Sequence, residues 1–409
     1  MKSISGFCAF FVTCVALTST SVISTPSTEN FKKLALANNE LAFNLYRKIA
    51  FESSENVLFS PFSIATIFGM LFCGARGQTA EELRQVLGYV KAGLPNNLVH
   101  ETFSQYLRNV SNNEDSSNGY ALKTANAAFA DKRLELLMEY RRNIQALYGA
   151  DVRDVDFSKE APTIVEEINN YVRNKTNGKI DKLFDQLDPS TVLLFLNAVY
   201  FKGTWKTQFE TNETREEIFY NYGLESEPRR VQFMHLSSSF PHVYYGDFQV
   251  LELPYKGENV SMLIFLPDQR VGLLTLEESL TPEKLVEVQR RLYKRNVDVL
   301  LPKFKLQFEQ ELSAEFQTLE AEQIFGPGAD FSGMTSNSKA VVNQIVHKAV
   351  IEVNEEGSEA AAVTRIGMIV TSQLGENPQF RVDHPFLFVI VEKGSNSNMI
   401  LFMGRVNDL

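Results

Sequence analysis

Glu355-Glu356-Gly357-Ser358-Glu359-Ala360-Ala361-Ala362 is the stretch on which the reading of this chain turns. Upstream of it, between Lys339 and Glu356, Ile345, His347, Ala349, Ile351 and Val353 alternate with Lys348, Glu352 and Asn354. That is the two-residue period of a strand burying part of one face, and it predicts one long strand. Past Gly357 the alternation restarts. Ser358, Ala360, Ala362, Thr364, Ile366, Met368 and Val370 share one side, while the charges Glu359 and Arg365 share the other. A solvated loop is the plain reading of such an alanine-rich segment, and two features oppose it. The side that would turn inward begins with the smallest side chains, as a segment needs if it must slide between packed strands. A run of more than 20 residues without an element of its own, Gly357 to Pro378, is also more often functional or disordered than incidental.

Two stretches near the C-terminus, Asp383-His384-Pro385-Phe386-Leu387-Phe388 and Phe402-Met403-Gly404-Arg405-Val406, complete a pattern that resembles the serpins, the serine-protease inhibitor family. The resemblance covers nearly everything after the N-terminal leader. It implies an α+β serpin fold: a single large domain with a dominant mixed β-sheet, two smaller sheets, surrounding helices and an exposed reactive-centre loop. On it, Glu355 to Ala362 form the hinge of an inhibitory loop, and residues 355–380 span hinge and loop together. The family pattern also implies a breach of Trp205, Lys303 and Glu355, with Lys303 paired to Glu355. Beneath it lies a shutter of Ser60, Ser63, Asn197 and His347. A buried Asn197 in Val192-Leu193-Leu194-Phe195-Leu196-Asn197-Ala198-Val199-Tyr200-Phe201, a run reading as a central strand buried on both faces, is costly unless hydrogen-bonded, so a specified network is expected.

The chain has 409 residues, 44% of them hydrophobic and 11% aromatic, and no linker separates its apolar segments, so one large domain is expected over residues 25–409. Met1 to Ser24 carries Lys2, then an apolar core through Leu17 and small residues, which reads as a cleaved secretory signal and implies an extracellular protein. Cys8 and Cys14 fall within that leader, leaving Cys73 without an internal partner and best read as a core residue. Four sequons, at Asn109, Asn174, Asn212 and Asn259, are candidate glycan sites in that setting. The formal charge of -10 becomes -11 on loss of Lys2 with the leader, which argues against nucleic acid. No segment beyond the leader approaches a membrane-spanning length.

Taken in order, Asn30 to Phe51 shows helical spacing, and Asn56 to Ser63 a short strand turning at Pro61 into an apolar helix that runs to Ala75. Thr79-Ala80-Glu81-Glu82 reads as a capping box for a helix ending at Gly88. Leu134 to Leu147 and Ile164 to Val172 read as helices, and Leu300 to Lys305 resembles the family's strand beside the breach. Gln289-Arg290-Arg291-Leu292-Tyr293-Lys294-Arg295 is the one basic cluster; its plain reading is a solvated helix face, and its alternative a glycosaminoglycan site.

There is no Gly-x-Ser-x-Gly, His-Glu-x-x-His or phosphate-binding glycine loop, and the five histidines are scattered. An enzyme is the weaker class, and no cofactor, metal or catalytic residue is expected. The resemblance instead implies a monomeric suicide-substrate inhibitor that forms a covalent 1:1 complex with a serine protease, its cleaved loop inserting into the central sheet. Family spacing from Glu355 implies a reactive bond at Thr371-Ser372, with Val370-Thr371 and Met368-Ile369 as neighbouring alternatives, and a threonine there suits an elastase-like pocket. Loop insertion in serpins is itself a stock example of strand addition and of a strain-releasing switch. The competing expectation is a non-inhibitory serpin serving as carrier, chaperone or storage protein.

Overall fold

The computed structural model describes residues 28–51, 53–112, 119–336, 340–357, 377–393 and 397–409. In chain order its helices are α1 (Thr28–Phe51), α2 (Pro61–Gly74), α3 (Gly77–Val86), α4 (Asn96–Asn112), α5 (Met138–Tyr148), α6 (Phe157–Lys175), α7 (Leu273–Ser279), α8 (Pro282–Arg291) and α9 (Ser313–Thr318). The strands are β1 (Val57–Phe59), β2 (Tyr120–Asp131), β3 (Asp151–Val155), β4 (Leu193–Gly203), β5 (Arg215–Tyr220), β6 (Pro228–Tyr244) and β7 (Phe248–Pro254). They continue with β8 (Val260–Pro267), β9 (Tyr293–Pro302), β10 (Phe304–Glu311), β11 (Gln344–Val353), β12 (Gln379–Arg381), β13 (Phe386–Glu392) and β14 (Met399–Val406).

Among the described residues these strands form two sheets. A five-stranded mixed sheet runs β10-β11-β4-β2-β3, and its centre is the parallel pair β11 and β4, in register from Gln344 opposite Leu194 to Ile351 opposite Phe201. The other nine strands make a second sheet, β1-β14-β13-β8-β7-β6-β9-β12, with β5 added beside β6. The two smaller sheets of the expected fold are thus continuous, joined through the 17-residue β6.

The apolar run in β4 explains the layering. Leu193, Phe195, Val199 and Phe201 point into the main core with α2 and β14, whereas Leu194, Leu196, Ala198 and Tyr200 point into a second core. Helix α6 covers that second core with Ile164, Ile168 and Val172. A strand covered on both faces needs apolar residues at every position, which is what the sequence supplies.

The same double coverage corrects the reading of β11. It is shorter than Lys339 to Glu356, and its second face is buried from Val346 to Val350, with Glu352 half-buried beyond it. Lys348 is only 6% exposed, because the connection after α6 closes over it. Its ammonium donates to the Lys182 carbonyl at 2.6 Å and to Glu309 at 2.8 Å, so the charge is buried but satisfied.

Three local expectations also change. Helix α3 begins at Gly77, so Thr79 lies within its first turn rather than at its cap; the Thr79 hydroxyl accepts from the Asp330 N–H at 2.9 Å, and no capping box forms. Leu300 to Lys305 is two strands, since the chain leaves one sheet at Pro302 and joins the other at Phe304, with Lys303 between them. Helix α5 starts at Met138, after a 3-10 turn at Lys132–Leu134 and a left-handed Glu135 (φ 50°).

Candidate functional site

The site is built at the end of β11. After Val353 the chain does not run on but reverses: the Asn354 N–H donates to the Gly357 carbonyl at 2.9 Å and the Gly357 N–H to the Asn354 carbonyl at 3.1 Å. Gly357 sits at φ +118°, and a Cβ there would come within 2.0 Å of the Gly203 carbonyl at the end of β4. Only glycine meets both demands. The hinge is therefore a closed turn pressed onto the neighbouring strand.

Trp205, the sole tryptophan, holds that turn. Its backbone N–H donates to the Glu356 carbonyl at 2.9 Å and its indole N–H to the Asn354 carbonyl at 3.0 Å. Its ring stacks on Tyr255 at 4.4 Å and 12°, and Tyr255 meets Phe201 edge-on at 5.1 Å. A fully buried indole needs such a partner for its N–H, and Asn354 provides it.

Glu355 is the turn's charged anchor. The Lys303 ammonium lies 2.8 Å from its carboxylate, the Thr214 hydroxyl donates to it at 2.8 Å, and the Phe209 N–H donates to its carbonyl at 2.9 Å. Burial pushes the Glu355 carboxyl up, but the hydrogen bonds from Lys303, the backbone and Thr214 outweigh it and hold it below the usual carboxylate range.

Lower on the same junction lies a row of polar side chains set by strand register, with Asn126 opposite Asn197 and Asn197 opposite His347. His347 Nδ1–H donates to Asn197 Oδ1 at 2.7 Å, and Asn197 Nδ2 donates to Asn126 Oδ1 at 2.6 Å. On its other side His347 Nε2 accepts from the Ser60 N–H at 3.1 Å, and the Ser60 hydroxyl caps α2 by accepting from the Ser63 N–H at 3.2 Å. This pattern assigns a neutral imidazole with its proton on Nδ1. Burial lowers the His347 pKa to about 3. The buried Ser63 hydroxyl, expected to join the network, has no hydrogen-bond partner among the described residues; only its backbone takes part.

The structure thus brings Trp205, Lys303, Glu355, Glu356 and Gly357 together at the top of the β11–β4 junction, and Ser60, Asn197 and His347 at its middle. Ser358, Glu359, Ala360, Ala361, Ala362, Thr371 and Ser372 lie outside the described residues. Of the sequon asparagines, Asn109, Asn174 and Asn212 are exposed and Asn259 is half-buried. Asn126, Thr214 and Asn354 went unread in the sequence. Asn126 carries a usable signal, a lone amide inside Ala125-Asn126-Ala127 on a strand. Thr214 and Asn354 carry none, since each acts through a contact that only the turn's closure creates. Among the described residues no group of three or more His, Cys, Asp or Glu side chains is placed to hold a metal ion, and no helix is long and apolar enough to cross a membrane.

A family model for serpins, serine protease inhibitors, matches residues 36–409, and the chain belongs to that family. It is 39% identical over 413 residues to Iripin-2 of Ixodes ricinus, covering 100% of this chain and 99% of the relative. It is 38% identical over 381 residues to Intracellular coagulation inhibitor 2 of Tachypleus tridentatus, covering 92% of this chain and 91% of the relative. The structure matches human thyroxine-binding globulin complexed with thyroxine at a TM-score of 0.83 and 28% identity, covering 93% of this chain and 99% of that one.

The second of these relatives overturns one expectation. Its name places a protein this similar along most of its length inside cells, so the extracellular location expected from Met1 to Ser24 does not stand. That leader itself lies outside the described residues.

Proposed function

We propose that this serpin is an inhibitory member, a suicide substrate that traps a serine protease as its acyl-enzyme. The observation that carries this reading is the direct parallel pairing of β11 with β4 as neighbouring strands, with the turn Asn354 to Gly357 folded at the end of that junction. In this reading the protease attacks the carbonyl of Thr371, and the Thr371-Ser372 bond breaks as the serine ester forms. The segment from Ser358 to Thr371, 14 residues, then enters between β11 and β4 as a new strand. At about 3.3 Å per residue this carries the tethered protease on the order of 45 Å. Ester hydrolysis fails because the protease's site is pulled out of shape, and the sheet's capacity for one more strand supplies the free energy.

The small side chains at Ser358 and Ala360 to Ala362 suit a strand that must pass between covered faces. The Thr371 side chain suits a small primary pocket, so an elastase-like protease is the proposed target. The basic stretch Arg290 to Arg295, at the end of α8, is the place for a glycosaminoglycan if one modulates the reaction. The test is a denaturing gel after mixing with elastase-like and chymotrypsin-like proteases. A covalent 1:1 band with Ser372 as the new N-terminus supports the reading; clean cleavage without that band sinks it.

The likeness to a carrier, thyroxine-binding globulin, favours a second reading, a non-inhibitory serpin. The same gel separates the two, since a carrier gives cleaved chain and no adduct.

A further inference from the structure

The C-terminal end of α1 meets α7 over two adjoining cavities. One, of about 470 Å³, is lined by Lys48, Phe51, Leu274 and Glu278 among others. The next, of about 480 Å³, shares Ala50, Phe51, Leu274 and Glu277 with it and runs on to Tyr222 and Val271. Eleven large apolar side chains are exposed among the described residues, and four of them, Phe51 (86%), Val271 (65%), Leu274 (59%) and Tyr222 (38%), stand on this one groove. Clustering of that kind marks a binding surface. Each cavity also has the size of a small-molecule site, typically about 300–1,000 Å³.

The floor is closed. Glu277 is buried, receives the Tyr46 hydroxyl, and faces the Arg405 guanidinium at 3.3 Å, so its charge is already met. The lining carries four cations, Arg47, Lys48, Arg270 and Arg405, against the two carboxylates Glu277 and Glu278, on a chain whose net charge is -10. Three of the cations are engaged: Arg405 with Glu277, Arg270 with Glu225 at 3.1 Å, and Arg47 with the Leu280 carbonyl at 2.8 Å. Lys48, half-buried at the mouth of the first cavity, has no acceptor among the described residues.

We propose that this groove binds a single-chain amphiphile with one anionic head, a long-chain fatty carboxylate, with its acyl chain between Phe51 and Leu274 and its head on Lys48. The apolar walls supply affinity in proportion to chain length. Lys48 supplies orientation, because a charge at the rim of an apolar cleft meets its counter-charge with less screening than in open solvent. A second copy of the chain is a poorer occupant, since a two-fold contact through this patch would set the same cations against each other. The proposal is independent of the loop chemistry.

The test is calorimetric titration of the full chain with sodium laurate, sodium myristate and dodecanol, each below its aggregation limit, in the wild type and in Leu274→Asp, Phe51→Ser and Lys48→Gln. These side chains lie at the surface or half-buried at the groove mouth, and an unchanged melting curve for each confirms a sound fold. The expected result is 1:1 binding that tightens roughly tenfold from laurate to myristate, two methylenes longer, and falls at least tenfold in Leu274→Asp and Phe51→Ser. Lys48→Gln should bring laurate down to the affinity of dodecanol while leaving dodecanol unchanged. Absence of binding, binding indifferent to all three substitutions, capture only by anionic vesicles, or a dimer dissolved by Leu274→Asp each overturns the proposal.

Discussion

His347 on β11 donates to Asn197 on β4 at 2.7 Å, across the parallel junction that an inserting strand would have to part. The same imidazole accepts the Ser60 N–H at the start of α2, so one neutral ring ties both central strands to the helix behind them. Protonation removes the acceptor and places a charge where burial is complete.

Acid should therefore weaken the native form, and the sign is fixed by the pKa. Folded, His347 titrates at about 3; unfolded, near its ordinary 6.5. The unfolded chain takes up the proton first, so the stabilisation is whole above pH 6.5 and is lost progressively as pH falls toward 3. At pH 4 the loss is about 3 kcal/mol from this residue. His100, lowered to about 4 by burial, acts in the same direction. The measurement is thus a comparison: the melting temperature of His347→Gln should start lower at pH 7 but decline less than that of the wild type between pH 6.5 and 4. Parallel curves would show that His347 does not titrate as stated.

Glu355→Ala removes the acceptor of Lys303 and Thr214 together. Because the Lys303 side chain is 38% exposed, its share is about 1 kcal/mol or less, with the Thr214 hydrogen bond adding about another. The expected outcome is a modest fall in melting temperature, together with faster amide exchange at Phe209, whose N–H donates to the Glu355 carbonyl. Exchange at Phe209 no faster than in the wild type would mean that the side chain does not position the turn.

Gly357→Val should act more strongly, through backbone rather than charge. A side chain at φ +118° is strained by about 1–3 kcal/mol, and the Gly203 carbonyl stands within 2.0 Å of the new Cβ. The turn must lift off β4, and Trp205 loses its indole acceptor. With one tryptophan in the chain the readout is direct: emission shifted to the red and increased quenching by iodide. An unchanged spectrum would contradict the closed turn.

The architecture was legible where burial leaves a periodic trace. The continuous apolar run of β4 announced a strand covered on both faces, and both cores are found there. Alternation in β11 found the strand but misjudged its second face, because Lys348 carries the mark of an exposed position while sitting under the connection that follows α6. The turn at Asn354 to Gly357 was missed for a related reason. Glu355 and Glu356 continue the strand's alternation, and what bends the chain there is the docking of its carbonyls on Trp205, Gln208 and Phe209, far away in sequence. Capping at Thr79 failed because its hydroxyl is taken by Asp330, a tertiary contact invisible to local pattern.

Ser358→Arg and Ala360→Arg test the proposed inserting face. Both positions share the side whose early residues are small, and a guanidinium driven between covered sheet faces would be desolvated at a cost of several kcal/mol. The protease should then complete hydrolysis before insertion, so the covalent band falls at least tenfold while the rate of loop cleavage holds. Full yield of the complex in either variant removes the face assignment.

Cleavage without any protease partner isolates the thermodynamic claim. If the segment from Ser358 to Thr371 becomes a strand flanked by β11 and β4, the eight-residue ladder between those strands is replaced by two ladders. A net gain of about ten hydrogen bonds, at about 1 kcal/mol each, sums to about 10 kcal/mol before side-chain burial is added. For a domain of this size 1 kcal/mol moves the melting temperature by about 1 °C, so chain nicked between residues 366 and 376 should melt about 10 °C above intact chain. Nicked and intact samples that melt together would show that β11 and β4 do not part, and the inhibitory mechanism would fail with them.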